Sequence, residues 1–277
     1  MFARAASPEW FDITAVNRLL FTSRLQPILR MVTCQEMSAG YLKLFYWFDP
    51  LKCETEILNT NYPNRGFKFI GGILCLDFIN TVEGRSNNSH HKKAAGDDYQ
   101  ITGEKFRNYF DLVTWFRHEE TALLGTKDAR RLSQLAEKHP RSAQTVFETA
   151  INLREALYRI FKSLALGRRP NQADIEKVND ELKNARAHEK LVFSTDGFAT
   201  EWENISDTLD SPLWPVVRSA AELLTSSDSS RLRQCVGEDC GWLFMDTSRN
   251  RSRQWCDMKD CGNLAKVRRF RERQQET

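Results

Sequence analysis

Residues 235–241 and 256–262 repeat one short motif, which strongly constrains the C-terminal part of the chain. Both copies read Cys-x3-Asp-Cys-Gly, and every matching position is shifted by 21 residues. Two spaced cysteine pairs are a metal-ligand pattern, because each pair forms a turn and two turns aim four sulfurs at one ion. The glycine after each second cysteine is expected to supply a positive φ. We predict one structural zinc ion bound tetrahedrally by Cys235, Cys240, Cys256 and Cys261.

Four cysteines have three alternative roles besides zinc binding: two disulfides, an iron–sulfur cluster or unreactive thiols in the core. After Arg4 the sequence reads Ala-Ala-Ser-Pro-Glu-Trp, which does not resemble the apolar core of a secretory signal peptide. This start indicates a cytoplasmic protein, and a reducing cytoplasm disfavours disulfides. The spacing differs from that of ferredoxins, and inert cysteines would have no reason to repeat. Cys34, Cys53 and Cys75 show no ligand spacing and are interpreted as ordinary thiols.

The sequence before the cysteines predicts a mainly helical α+β protein. Four segments place nonpolar residues at helical spacing: 106–116, 129–136, 143–164 and 175–185. The longest stripe includes Val146, Leu153, Leu157 and Ile160, which we expect to be buried. Gly167 is expected to end that helix.

One small β-hairpin and a further helix complete this predicted domain. Residues 191–202 surround Asp196-Gly197, a dipeptide typical of a type I′ turn. Ser211 followed by Pro212 predicts the start of the last helix, because serine caps helices and proline suits the first turn. The nonpolar segment 69–81 is expected to be buried, as helix or as strand.

These patterns divide the chain into three predicted regions. Residues 1–68 form an N-terminal extension of unknown role, which is expected to contribute little to the core. Residues 69–230 form the helical domain, with a polar loop at 84–104. Residues 231–277 form a four-cysteine zinc finger with a basic C-terminal helix.

Positive charge is concentrated beside the cysteines. The whole chain has a net charge of +3, but residues 231–277 contain 11 Lys+Arg and 7 Asp+Glu. Arg249, Arg251 and Arg253 alternate in a segment without acids and would share one face if the segment were extended. Arginines among small polar residues are typical of phosphate contacts.

The C-terminal helix is predicted to carry a second basic face. Leu264, Val267 and Phe270 fall on one side and are expected to dock on the zinc finger. Basic residues fall on the opposite side. We therefore predict contacts to nucleic acid from Arg249, Arg251, Arg253, Lys266, Arg269 and Arg273.

Several of these segments resemble known families. Cys235…Cys240-Gly-Trp-Leu-Phe, Asp246-Thr-Ser-Arg-Asn and Cys261-Gly262-Asn263 resemble the CGNR zinc finger, although Leu264 stands where its arginine belongs. Leu74-Cys-Leu-Asp-Phe-Ile-Asn-Thr81, Leu153-Arg-Glu-Ala-Leu-Tyr158 and residues 212–221 resemble the ABATE domain. That domain precedes this finger in bacterial proteins that are predicted to be stress-responsive regulators of transcription. The resemblance covers about residues 69–273 and implies a cytoplasmic, DNA-binding bacterial protein.

Two polar residues lie within the nonpolar segment 69–81. On a helix Asp77 and Asn80 would share a face and could line a small-molecule pocket. The alternative, which we favour, is that they hydrogen-bond neighbouring backbone groups. Arg154 and Arg218 lie on predicted helices and are interpreted as members of surface ion pairs.

Two hypotheses of function follow. The first is a transcription regulator that binds DNA through its zinc finger and senses a small effector or stress through its helical domain. The second is an enzyme or small-molecule binding protein whose zinc finger is structural or contacts another protein. The sequence contains none of the common nucleotide-binding or hydrolase motifs, so a non-enzyme is expected. No apolar run approaches the ~20 residues of a membrane span, so no contact with a membrane is expected. The sequence does not decide between a monomer and a homodimer.

Overall fold

The structure is a computed structural model that describes residues 66–86, 99–118, 120–121, 123–195 and 197–275. Within these residues the protein is mainly helical, with small two-stranded sheets and a C-terminal cluster of four cysteines. The predicted fold class is therefore confirmed. Nearly all of the predicted N-terminal extension lies outside the described residues. Phe67 is described and packs against Phe106, with ring centroids 5.8 Å apart.

The helices are α1 (Leu74–Ile79), α2 (Tyr109–Phe116), α3 (Thr126–Lys138), α4 (Pro140–Ala165), α5 (Gln172–Arg186), α6 (Leu213–Thr225) and α7 (Asn263–Gln275). The strands are β1 (Arg85–Ser86), β2 (Gln100–Ile101), β3 (Glu189–Ser194), β4 (Gly197–Trp202), β5 (Leu232–Gln234) and β6 (Leu243–Met245). A 3-10 helix spans Ser227–Arg231, and a π-helical turn spans Met258–Gly262. Among the described residues, no helix is both long and apolar enough to cross a membrane.

Helix α4 is the longest element, as its periodic sequence predicts. Leu153, Leu157 and Ile160 are buried as expected, whereas Val146 is only partly buried. The helix begins three residues before the predicted stripe, at Pro140. Proline suits this first position because it lacks an N–H group and its φ is already helical.

The starts of two other helices differ from the prediction. Helix α2 begins at Tyr109, because the Asn108 side chain caps it by accepting hydrogen bonds from the backbone N–H groups of Phe110 and Asp111. Helix α6 begins at Leu213 without a side-chain cap. The prediction that Ser211 caps α6 is wrong, because its hydroxyl donates a hydrogen bond to the carbonyl of Ile205 instead.

The predicted hairpin is present as β3 and β4, paired antiparallel with Phe193 opposite Phe198. A second antiparallel pair, β1 with β2, lies within the segment that was predicted to be a loop. This pair is only two residues long in each strand. Strands that short have too few residues to show an alternating pattern, so the sequence does not reveal them.

The helical core extends into the cysteine-bearing region. Leu232, Leu243 and Met245, which lie on β5 and β6, belong to the same buried cluster as α1, α4 and α6. A smaller cluster beside it contains Trp242 and Phe244 together with Cys235 and Cys256. Residues 231–275 therefore form a module that shares its core with the helices. We call this segment the cysteine module.

A network of ion pairs around two buried arginines joins α4 to the region of the β1–β2 pair. Arg154 is fully buried and makes a bidentate ion pair with Glu104, at 2.7 and 2.6 Å, and a further pair with Glu155 at 2.8 Å. Arg85, which is also buried, contacts Glu155 at 3.1 Å. The prediction that Arg154 lies on the surface is wrong, because its helical face is covered by Glu104 and its neighbours. Arg218 does form surface ion pairs, with Glu189 and Glu222.

Candidate metal centre and basic surface

The structure brings together the four cysteines predicted as metal ligands. The ligand atoms of Cys235, Cys240, Cys256 and Cys261 all lie within 4.8 Å of one another. The Sγ atoms of Cys240 and Cys256 are 3.5 Å apart, and those of Cys256 and Cys261 are 3.6 Å apart. A tetrahedron with Zn–S bonds of about 2.3 Å has edges of about 3.8 Å. The sulfurs therefore fit one zinc ion and are too far apart for disulfides, whose S–S distance is about 2.05 Å.

Short loops and strands place these sulfurs. Cys235 follows β5, and its backbone N–H donates to the carbonyl of Trp242 at 2.8 Å. Its Sγ atom accepts hydrogen bonds from the N–H groups of Gly237, at 3.4 Å, and of Cys256, at 3.3 Å. The neighbouring thiols of Cys240 and Cys256 and these N–H groups hold the pKa of Cys235 well below its usual range. Such donors stabilise a thiolate, which is the form that binds metal.

Three glycines have distinct roles around the cluster. Gly241 has a φ of +60°, as predicted, and a Cβ there would lie 2.8 Å from the carbonyl oxygen of Arg85. The same prediction is wrong for Gly262, which is not among the positive-φ residues because it is the last residue of the π-helical turn that leads into α7. Gly237 was not singled out from the sequence. A Cβ at Gly237 would lie 3.2 Å from the Sγ of Cys261, so glycine there lets the loop approach the sulfurs closely.

Hydrogen bonds tie the cysteine module to the helical core. The Asn80 side chain donates to the carbonyl of Leu243 at 2.8 Å and accepts from the N–H of the same residue at 3.1 Å. The indole N–H of Trp242 donates to the carbonyl of Val82 at 3.1 Å. The predicted pocket residue Asn80 thus acts as an edge partner for β6, which matches the structural alternative considered for it.

Two further backbone contacts continue this attachment. The N–H of Arg85 donates to the carbonyl of the cysteine ligand Cys240 at 2.9 Å. Next to it, a Cβ at Gly84 would lie only 1.9 Å from the carbonyl oxygen of Asp239, so only glycine fits. The metal-ligand loop is therefore held directly against the segment that follows α1.

Asp77 supports the same contact from the other side. Its Oδ1 atom accepts a hydrogen bond from the N–H of Gly71 at 2.7 Å, and the carbonyl of Gly71 accepts one from Met245 at 2.9 Å. Burial raises the pKa of Asp77 to about 6, although the Gly71 N–H opposes the shift. Both predicted pocket residues, Asp77 and Asn80, are thus hydrogen-bonded to backbone groups.

We expect Asp77→Asn to stabilise the protein above about pH 6 and to change little below about pH 4. A carboxyl group whose folded-state pKa exceeds its usual 3.8 contributes stability that is fully present below pH 3.8 and lost as the pH rises through about 6. Asparagine keeps an acceptor for Gly71 without the buried charge. Melting temperatures of the two proteins should diverge between pH 4 and pH 6. Parallel melting curves at every pH would contradict the assignment.

Residues 246–253 form a compact loop rather than an extended strand. Asp246 is fully buried and accepts hydrogen bonds from the N–H of Ser248 at 2.9 Å, from its hydroxyl at 2.5 Å and from the N–H of Arg253 at 3.0 Å. Asp246 thereby ties both ends of the loop together. Arg251 adopts a φ of +49° at its tip. We call residues 246–253 the arginine loop.

The three predicted arginines of this loop lie in different surroundings. Arg249 and Arg251 are exposed at the tip. The guanidinium carbon of Arg253 lies 4.5 Å from the centroid of the Phe244 ring, and its Nε donates to the carbonyl of Trp255 at 2.9 Å. A second nitrogen donates to the carbonyl of Cys256. Arg253 is therefore engaged in holding the backbone of a metal-ligand residue.

Helix α7 projects from the module. None of its residues from Asn263 to Gln275 is buried, and the predicted contacts Lys266, Arg269 and Arg273 are exposed. The prediction that its apolar face docks on the finger is wrong, since Leu264 is 70% exposed. Instead, Arg268 forms a bidentate ion pair with Glu238 of the first cysteine loop. A groove lies between α7 and the loops that carry the four cysteines.

The groove, which we call the finger groove, has a volume of about 1100 Å³. Its nonpolar walls are formed by Ile70, Val236, Trp242, Trp255, Leu264 and Val267. Charged residues of both signs also line it: the basic Lys68, Lys105, Arg268, Arg269 and Arg271, and the acidic Glu83, Glu238, Asp239, Asp260 and Glu272. No sequence pattern predicts this groove, because its lining residues come from two distant parts of the chain, 66–105 and 236–272.

Comparison with known families agrees with this architecture. Residues 231–274 match the family described as "CGNR zinc finger", and residues 72–227 match ABATE, described as "Putative stress-induced transcription regulator". A search of curated proteins found no match. The ABATE match covers more than half of the chain, and the two matches follow each other in the predicted order. The chain therefore belongs to the ABATE family, whose description is "Putative stress-induced transcription regulator", and its residues 231–274 form a CGNR zinc finger.

Proposed function

We propose that this protein is a zinc-dependent regulator that binds DNA through the arginine loop and helix α7. The observation that carries the proposal is the arginine loop, because the buried carboxylate of Asp246 holds both of its ends and leaves Arg249 and Arg251 exposed at the tip. A loop that is ordered before binding loses less entropy when it meets phosphate groups.

The four cysteines are proposed to bind one zinc ion in a structural role. With four thiolate ligands the ion has no open position for a substrate, so it supplies a crosslink and no reaction. The residues around it set the ligands in place. Gly237 permits the close loop, and Arg253 holds the carbonyls of Trp255 and Cys256.

The proposed contacts to DNA come from two exposed basic groups. Arg249 and Arg251 lie on the arginine loop, where Ser248 and Asn250 supply small polar neighbours. Helix α7 contributes further positive charge, since it contains five basic residues and a single acidic one. The helix residues in the proposed interface are Lys266, Arg269 and Arg273. Arg253 is assigned to the metal site rather than to phosphate.

We expect the full chain to bind duplex DNA with a strong dependence on salt. Each neutralised phosphate contributes about −0.9 to the slope of log affinity against log salt concentration, so four or five contacts give a slope of about −4. Fluorescence anisotropy with a labelled duplex at several salt concentrations measures this slope. Arg249→Ala and Arg251→Ala should each reduce its magnitude by about one and weaken binding to all sequences alike.

Arg131→Ala provides a matched control. Arg131 is exposed and paired with Asp207 on the helical core, so its replacement removes the same charge from another surface. The control should leave the slope unchanged. If the zinc-loaded chain shows no salt-dependent binding to any duplex or single strand, the proposal fails. The cysteine module is then better explained as a structural or dimerisation element.

A further inference from the structure

The tip of the β3–β4 hairpin exposes three large nonpolar side chains. Leu191 is 68% exposed, and Phe193 and Phe198 are each 74% exposed. The two phenylalanines lie opposite each other, with ring centroids 4.9 Å apart. A hairpin of two strands is marginally stable by itself, and exposed apolar patches of this kind mark interaction sites. We call these three residues the hairpin tip.

The base of the hairpin is fixed to the helical core. The ring centroid of Trp202 lies 5.8 Å from that of Trp214, and Arg218 donates to Glu189 at 2.7 Å and to Thr200 at 2.9 Å. The hairpin tip is therefore a projecting, anchored apolar knob. Such a shape fits a concave apolar surface better than a flat one.

The finger groove is a concave surface of matching character. Leu264 and Val267 of α7 form one wall, and Trp242, Trp255 and Val236 lie among the remaining nonpolar lining residues. At about 1100 Å³ it exceeds the usual range of roughly 300–1,000 Å³ for small-ligand pockets, so it has room for several side chains. The residues that the structure describes leave both the knob and the groove uncovered, and the charges of the hairpin and of helix α7 favour a second copy of the chain as the occupant.

Charge favours a contact between the hairpin and helix α7, the element that forms one wall of the groove, whereas the groove lining as a whole contains equal numbers of acidic and basic residues. Helix α7 contains five basic residues and one acidic residue, so two copies of α7 repel each other. Hairpin residues 189–203 contain four acidic residues and one lysine, so two hairpins also repel each other. A hairpin facing α7 of another copy joins opposite charges. This rule of complementary charge steers the encounter and fixes which surfaces meet.

We infer that the hairpin tip of one copy inserts into the finger groove of a second copy, and that the reciprocal contact forms at the same time. The result is a two-fold dimer with two identical contacts. A buried phenylalanine removes roughly 150–250 Å² from water, and each contact covers phenylalanines of the tip together with the nonpolar face of α7. Two such contacts approach the ~1,600 Å² of a standard interface.

The groove used by the dimer overlaps the proposed DNA surface at Arg269, which lines it, but not at Lys266 or Arg273. Along α7, Lys266 and Arg273 lie on the side of the helix away from Leu264 and Val267, as helical geometry requires. Dimerisation therefore leaves those two basic side chains exposed. A protein that fails to bind DNA can still form this dimer, so the two proposals fail separately.

Light scattering after gel filtration, with the full zinc-loaded chain, tests the inference first. The wild-type mass should be twice that of the 32.2 kDa chain. A tip variant, Phe193→Ser with Phe198→Ser, and a groove variant, Leu264→Ser with Val267→Ser, should both be monomeric. Leu166→Ser changes an exposed nonpolar residue outside both surfaces and should remain dimeric.

A mixture of the two variants gives the decisive measurement. A mixed pair has one intact contact, because the wild-type hairpin of the groove variant meets the wild-type groove of the tip variant. Two contacts closed together multiply affinity by about 10²–10⁴ over one contact. The mixed dimer should therefore form about 100-fold or more weakly than the wild-type dimer, and energy transfer between labelled variants detects it.

Several results would overturn the inference. A monomeric wild type at about 100 µM would do so, since stable homodimers have tighter affinities than that. A groove variant that stays dimeric while the tip variant is monomeric would show that hairpin packs on hairpin. The mixture should dimerise at a protein concentration about 10⁴ times the wild-type dissociation constant, because two contacts strengthen binding by at most about 10⁴. A mixture that stays monomeric at that concentration would exclude a dimer held by two reciprocal contacts. Larger assemblies would exclude the closed pair.

Discussion

Loss of one metal ligand through Cys256→Ser is expected to release the zinc ion and to lower the melting temperature of the entire chain. Structural zinc contributes an apparent ~10–16 kcal/mol to the folding of small modules, which is as large as the ~5–15 kcal/mol stability of a typical protein. The cysteine module is therefore expected to unfold without it. Because Leu243 and Met245 belong to the main core, the damage should reach the helices.

Cys75→Ala is the matched control for this prediction. Cys75 is a buried thiol on α1 that lies outside the cysteine cluster. The control should keep one zinc ion per chain by native mass spectrometry and lose only a small part of the wild-type stability. Cys256→Ser should show no bound zinc and a melting temperature lower by at least about 10 °C, as a loss of several kcal/mol implies. A Cys256→Ser protein with full zinc content and unchanged melting would disprove the metal site.

Arg154→Met is expected to cost about 1–3 kcal/mol of folding free energy, because it removes a buried partner from the partly exposed carboxylates of Glu104 and Glu155. Arg154 is fully buried and holds both Glu104 and Glu155. Methionine restores much of the volume but none of the hydrogen bonds. Urea unfolding, monitored by circular dichroism, measures the loss. A cost below about 1 kcal/mol, the value of a surface pair, would show that the network contributes little.

Arg218→Met is the control for this substitution. Arg218 also pairs with two glutamates, Glu189 and Glu222, but its side chain is 40% exposed. Water therefore screens the pairs, and the cost should stay within about 1 kcal/mol.

The dependence of stability on pH provides a second test of the Arg154 network. Burial acts against the charge of Glu155, yet Arg85 and Arg154 hold its pKa below the usual 4.5, so wild-type stability is lost as the pH falls below that value. Arg154→Met should weaken this acid dependence.

Local and repeated patterns made most of the fold predictable from sequence. The helical period of α4 extends over many turns, and burial of Leu153 and Leu157 follows from it directly. The 21-residue repeat identifies the four cysteines without any knowledge of their surroundings. Such patterns are readable because each residue's role depends on neighbours close in the chain.

Roles that depend on distant partners could not be derived in this way. Arg154 meets Glu104, which lies 50 positions earlier, and Asn80 meets Leu243, which lies 163 positions later. No local pattern distinguishes Arg154 from Arg218, although one is buried and the other is on the surface. Only the packing of α4 against the β1–β2 segment decides between them.

The arginine loop shows a different limit. Alternation of Arg249, Arg251 and Arg253 predicts a shared face only if the backbone is extended. Arg251 instead adopts a positive φ, and Asp246 draws the two ends of the loop together. The third arginine is thereby turned inward, onto Phe244 and the backbone of Cys256. A positive φ at arginine is uncommon, so the sequence carries no signal for it.

Two contacts limit whether the zinc finger could be joined to a different domain. They are the paired hydrogen bonds between Asn80 and Leu243 and the close packing of Gly84 against Asp239. This zinc finger depends on contacts with the helical core and is not an independent domain. If the finger were fused to an unrelated domain, the N–H and carbonyl groups of Leu243 on β6 would lose their partner, the Asn80 amide. The loop at Asp239 would also collide with any residue larger than glycine at the position of Gly84. In this chain a substitution at Asn80 or Gly84 is therefore expected to disturb the cysteine module, although neither residue belongs to it.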